Sequence, residues 1–115
     1  MDNTKQAHKK YLLLLGMVYI QLLKSSNEKK KYMAVFYNEE RKKIKTTHFG
    51  SAGMSDFIIH KNEEKKARYI ARHSANEKWN DYMTSGSLSR WILWNKTTLS
   101  ASYNDYIKKF GLKKY

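Results

Sequence analysis

The chain of 115 residues contains no cysteine and no proline. Without cysteine there are no disulfides, no thiolate nucleophile and no thiolate metal ligands. Histidine is sparse as well: His8, His48, His60 and His73 form neither an HxH nor an HExxH arrangement. A metal site would therefore need several of them together with carboxylates from distant segments, and none is expected. The loop Gly50-Ser-Ala-Gly53 is too short for a phosphate-cradling P-loop and has no Gly-Lys-Ser/Thr after it. Arg72-His73 with Asp81 is the nearest approach to a catalytic fragment, yet a histidine at a helix C-terminus has a simpler reading as a cation favoured by the helix dipole. No catalytic residue and no cofactor are expected, and the chain reads as a non-enzyme.

Acidic residues are scarce too. Lys and Arg number 23 against 10 Asp and Glu, a formal net charge of +13. The excess is spread along the chain, with 11 basic residues in 1–60 and 12 in 61–115. A compact body with that charge repels itself unless a polyanion neutralises it, so nucleic acid, an anionic membrane or an acidic protein surface are the fitting partners. At 41% hydrophobic residues, with nine Tyr, four Phe and three Trp, the chain supports one folded domain and not a disordered one.

Residues 1–10 are polar. Tyr11–Leu23 (YLLLLGMVYIQLL) is the longest apolar run, flanked by Lys9, Lys10 and Lys24. As a helix it would span roughly 20 Å, short of a hydrocarbon core of about 30 Å. It reads as an apolar helix that is buried in the fold, dips into a membrane, or serves as an uncleaved signal anchor. Residues 25–30 read as a linker. Residues 1–30 are thus expected to form a polar tail, an apolar helix and a linker, and residues 31–115 a basic α+β domain.

Lys31–Tyr37 and Lys42–Phe49 flank the turn-compatible Asn38-Glu-Glu-Arg41 and predict a β-hairpin. Its alternation puts Tyr32, Ala34 and Phe36 on one face and Met33, Val35 and Tyr37 on the other. Met54–His60 predicts a short third strand or a buried turn. Asn62 reads as the N-cap of a helix running to about Ser74, with Glu63 and Glu64 complementing its dipole. Ala67, Ile70, Ala71 and Ser74 share one small-sided face of it. Opposite them, Lys61, Lys65, Arg68 and Arg72 recur at helical spacing, a basic stripe able to track a phosphate backbone. Lys42, Lys43 and Lys45 on the hairpin are expected to extend it. Leu88–Trp94 predicts a further helix, with Trp91 in the core and Trp79 and Trp94 flanking it. Thr98–Phe110 predicts the last helix, with Gly111 as its C-cap and Leu112 after it. The expected fold class is α+β: a small hairpin or sheet packed with three helices, preceded by the apolar N-terminal helix.

The order of several blocks carries a resemblance. Met33-Ala-Val-Phe36, His48-Phe-Gly-Ser-Ala-Gly-Met-Ser-Asp-Phe57, Arg68-Tyr-Ile-Ala-Arg-His73, Trp79-Asn80 and Ser87-Leu-Ser-Arg-Trp-Ile-Leu-Trp-Asn95 succeed one another. Over about residues 31–112 the chain resembles a family of small basic proteins of nucleocytoplasmic large DNA viruses. The resemblance implies a viral setting and no particular activity or catalytic residue. The expected function is that of a virion structural protein, a minor capsid or capsid-associated component, found in the virion and in the host cytoplasm during assembly. Its partners would be other virion proteins, viral DNA, and a membrane touched through Tyr11–Leu23. The alternative is a nucleic-acid-binding protein of genome packaging or expression.

Overall fold

The computed structural model describes residues 16–115. Alternation of apolar residues builds its first half. Strand β1 (Tyr19–Lys24) pairs antiparallel with β2 (Lys30–Tyr37), which pairs antiparallel with β3 (Lys43–Ser51). A short β4 (Lys113–Lys114) runs parallel to β1, giving a mixed sheet of order β3-β2-β1-β4. Ile20, Ala34 and Phe36 point to one side and are fully buried.

The predicted hairpin is present, but the apolar N-terminal helix is not: from Tyr19 the run is a strand at the centre of the sheet. A short apolar run satisfies either period, and pairing with β2 decides it here. Gly16 sits at φ 81, a left-handed conformation that interrupts a helix before the strand begins. Tyr11–Leu15 lie outside the described residues. Residues 25–30 are no linker between units; they turn β1 back into β2. Asn27 Oδ1 accepts from the Lys29 N–H at 3.0 Å, and Ser25 Oγ accepts from the Asn27 N–H at 3.0 Å.

The second half is helical. Helix α1 (Phe57–His60) is a single turn, so Met54–His60 forms a buried turn instead of a strand, with Phe57 in the interior. Helix α2 (Glu63–His73) starts on Asn62, whose Oδ1 accepts from the Lys65 N–H at 3.0 Å. Helix α3 (Ser85–Leu88) continues into a wider π-helical turn over Ser89–Leu93. Helix α4 (Leu99–Phe110) starts on Thr98 and ends on Gly111 at φ 67, and Leu112 folds back buried behind it. Among the described residues four helices stand after the sheet's three long strands where three were expected, the extra one being the α1 turn.

Leu88, Ile92 and Tyr106 close over Ile20, Ala34, Phe36 and Phe49 to form one core between the helices and one face of the sheet. Tyr106 is completely buried, and its hydroxyl donates to the Tyr82 carbonyl at 2.5 Å. Burial, with Tyr82, Tyr103 and Asp81 adding to it, pushes the Tyr106 phenol well above its ordinary pKa. No helix among the described residues is long and apolar enough to cross a membrane.

Candidate nucleic-acid interface

Helix α2 turns Lys66, Tyr69, Ile70 and His73 towards the body of the protein, while Ala67 and Ala71 stay exposed. The small-sided face read from the sequence is therefore not the packed one. Tyr69 is the reason: its ring stacks on Trp94 at 4.3 Å and on His73 at 4.3 Å, burying more apolar area than two alanines could. Lys66 lies 4.4 Å above the Phe57 ring and donates to the Asn95 carbonyl at 3.0 Å, which removes it from the solvent-facing charge.

The predicted stripe is shorter than the sequence suggests. Lys61 is not on α2; it ends α1 in a left-handed conformation at φ 52. Its ammonium donates to the carbonyls of Ile58 at 2.5 Å and Thr97 at 2.9 Å, so it ties α1 to the segment before α4. Lys65, Arg68 and Arg72 remain exposed along α2. Arg68 has Glu64 at 3.8 Å, a loose and largely solvated pair.

Arg72 also stands on the rim of a cleft of about 310 Å³ between α2, the end of β3 and the α3 turn. Gly50 makes this corner possible. It adopts φ 78, and a Cβ there would stand 2.7 Å from Leu93 Cδ1. Four of the side chains lining the cleft form two internal pairs. Lys31 Nζ lies 2.5 Å from Asp56 Oδ2, whose other oxygen accepts from the Ile59 N–H at 3.1 Å and caps α1. His73 Nδ1 lies 2.8 Å from Glu77 Oε2. Burial, with help from Glu77 and against Arg90 and Arg72, holds the Tyr69 phenol up at about 12, so it is a neutral donor at physiological pH. With its carboxylates engaged, the cleft offers Lys30 and Arg72 to an incoming anion.

Lys42, Lys43 and Lys45 do not extend the α2 row. They lie at the opposite end of β3 from Gly50, roughly 20 Å away at about 3.3 Å per residue. Around them stands a group that the sequence reading did not assemble. Tyr37 stacks on Tyr115 with centroids 3.6 Å apart and planes 14° from parallel. The Arg41 guanidinium lies 4.3 Å from the Tyr19 ring and 5.7 Å from the Tyr115 ring. Alternation in β2 already put Tyr37 on the face away from Phe36. Tyr19 stayed hidden because its segment read as a helix.

Trp91 is half-buried, its ring between Arg90 and Lys109, each at 4.1 Å. Trp94 flanks the core as expected. His48 Nδ1 meets Ser25 Oγ at 2.7 Å, a link that fastens the end of β1 across to β3. Among the described residues, no three His, Asp or Glu side chains gather closely enough to hold a metal ion.

A family model described as "Family of unknown function (DUF5754)" matches residues 20–73. The chain is similar to that family from Ile20 in β1 to His73 at the end of α2, a span holding the three long strands and the α2 basic row. No curated protein and no solved structure matches the chain.

Proposed function

We propose that the protein is a non-enzymatic structural component of a large DNA virus particle that contacts nucleic acid through its basic faces. The observation that carries this reading is the exposed row Lys65, Arg68 and Arg72 on α2, unneutralised except for the loose Glu64 contact. From Lys65 to Arg72 the helix rises roughly 10 Å, about three phosphate steps of one strand. The overall charge of +13 adds long-range attraction to any polyanion. Among the described residues, the ion pairs of Lys and Arg are Lys31–Asp56, Lys66–Glu63 and Arg68–Glu64, so most of the cationic side chains remain available to phosphate.

The viral setting is supported by the sequence resemblance over residues 31–112. Contact with a membrane through Tyr11–Leu23 is not part of this reading, because Tyr19–Leu23 is committed to the sheet.

Fluorescence polarisation with labelled DNA at about 50 mM salt tests the nucleic-acid contact. Binding should weaken linearly on a log–log plot against salt, and the triple change of Lys65, Arg68 and Arg72 to Ala should lower the slope by up to about 3. A wild-type protein that binds neither duplex nor single strand rejects the contact. Mass spectrometry of washed particles tests the structural role, and absence of the protein from them rejects it.

A further inference from the structure

The sheet has two faces, and among the described residues the helices cover only one, although Val35 on the other is itself only 4% exposed. On that second face, register brings Tyr37, Tyr19 and Lys113 into one row across β2, β1 and β4, with Lys43 of β3 next to Tyr37 past a register shift. Lys43 of β3 pairs with Tyr37 of β2, Tyr37 with Tyr19 of β1, and Tyr19 with Lys113 of β4. Register partners point to the same side of a sheet. Because Ile20 and Phe36 face the core, Tyr19 and Tyr37 face away from it. The regular part of the row thus reads Tyr-Tyr-Lys over roughly 10 Å at about 4.8 Å per strand, with Lys43 beside it at the β3 edge. Tyr115 lies stacked on Tyr37 and is 48% exposed, and Arg41 spans Tyr19 and Tyr115. Gln21 accepts from the Tyr37 hydroxyl at 2.9 Å, which fixes the orientation of that ring.

We infer that this open face binds single-stranded nucleic acid, with an unpaired base stacking on the Tyr37–Tyr115 pair and phosphates held by Lys43, Lys113 and Arg41. The inference rests on the nucleic-acid reading above and narrows it from any phosphate backbone to unpaired bases. Charge complementarity selects the occupant. A cation stands at each end of the aromatic row and a third lies over it, which suits a ligand alternating planar rings with anionic links. Glu39 and Glu40 share the turn with Arg41 and Lys42 but lie outside the row. A duplex has no exposed ring faces to stack there, so the preference for single strands is the signature of the site.

The test compares three full-length proteins on two probes, a labelled oligothymidylate of about 12 nucleotides and a labelled duplex of matched length. The proteins are wild type, the double variant Tyr37→Leu/Tyr115→Leu, and the single variant Tyr115→Ala. The single variant alters only an exposed side chain and guards against misfolding of the first; melting curves accompany all three. Loss of one stacked base predicts that the double variant binds the single strand roughly 10-fold more weakly, with duplex affinity unchanged within about 2-fold. Tyr115→Ala should lose a smaller share of the same single-strand affinity. If the wild type binds both probes and the tyrosine variants bind the single strand as it does, the inference is overturned while the nucleic-acid reading stands. Equal weakening on both probes also overturns it, since a general loss of charge or fold would do that. If the wild type binds neither probe, the nucleic-acid reading itself fails.

Discussion

The two faces of the sheet are built from the same strands, residue by residue in alternation, yet they obey different rules. On the covered face Ile20, Ala34, Phe36 and Phe49 meet Leu88, Ile92 and Tyr106 and are fully buried. On the open face the side chains that meet are tyrosines and an arginine, with Tyr115 about half exposed. Van der Waals contact in a close-packed interior makes the first face intolerant of change. The second is mixed: Val35 on it is only 4% exposed, but around Tyr115 it reaches solvent and can accept substitutions at little cost. Stability should therefore reside on one face and the ability to bind on the other.

The sharpest way to break this contrast is Tyr106→Ala. Removing a completely buried ring leaves a cavity and should cost about 3–5 kcal/mol, measured by urea unfolding. That is a large fraction of the stability of a domain this size. A loss below about 1 kcal/mol would show that the covered face is not the stabilising one. Next comes Lys31→Ala at the cleft. It strands the Asp56 carboxylate, only 3% exposed, without its cation. A loss of about 3 kcal/mol is expected, towards the lower end for a buried pair because the Lys31 side chain keeps 16% exposure. Changing Asp56 to Ala in the same chain should cost less than the two single changes combined, since no buried charge is then left unpaired.

How far the two faces could be read from the sequence depends on their physics. The β2–β3 hairpin, the Asn62 and Thr98 caps and the Gly111 stop are local: a side chain bonds its own backbone a few residues on, or a glycine takes a left-handed turn, and neighbours alone decide the outcome. The fate of Tyr11–Leu23 is not local. Leucines and aromatics satisfy helix and strand periods alike, and only pairing with Met33–Tyr37 settles Tyr19–Leu23 as a strand. That one misreading hid the open-face site, because Tyr19, Tyr37 and Lys113 come from widely separated parts of the chain. The basic row on α2 was legible from spacing, except that a left-handed residue between two helices removed Lys61 from it. Lys42, Lys43 and Lys45 were visible as a charge run. Lys43 pairs with Tyr37 beside the open face, whereas Lys45 pairs with Phe36 of the covered face, and the strand that carries them decides both.

Alkaline titration probes the buried phenols without mutation. Tyr69 and Tyr103 are both held up at about 12 by burial, against an ordinary value of 10, and Tyr106 is shifted the same way. A phenol raised in the folded state stabilises fully below its unfolded pKa, and that stability is lost as pH rises towards the folded value. Between about pH 10 and 12 the unfolded chain therefore binds fewer protons than the native one, and the melting temperature should fall. Tyr69→Phe should flatten part of that decline. An unchanged slope in this variant would mean that Tyr69 does not titrate late.

The open face should barely register in the same assays. Tyr37→Ser removes one side of a stacked pair and its bond to Gln21, and cross-strand contacts of that kind contribute about 0.2–1 kcal/mol. A loss comparable to that of Tyr106→Ala would erase the distinction between the faces.

Arg68→Ala should have the smallest effect on stability. Glu64 precedes Arg68 by one helical turn, the favourable order with respect to the dipole, and at 3.8 Å with side chains 86% and 60% exposed the pair contributes about 0.3 kcal/mol. Alanine, the best helix former, offsets part of even that. The unfolding midpoint should stay where it is. The same substitution removes one of the three α2 cations proposed to reach phosphate, so on that reading the salt slope of DNA binding should drop by about 0.9 while the fold is untouched. A shift in the midpoint with no change in slope would make Arg68 a structural residue and remove it from the interface.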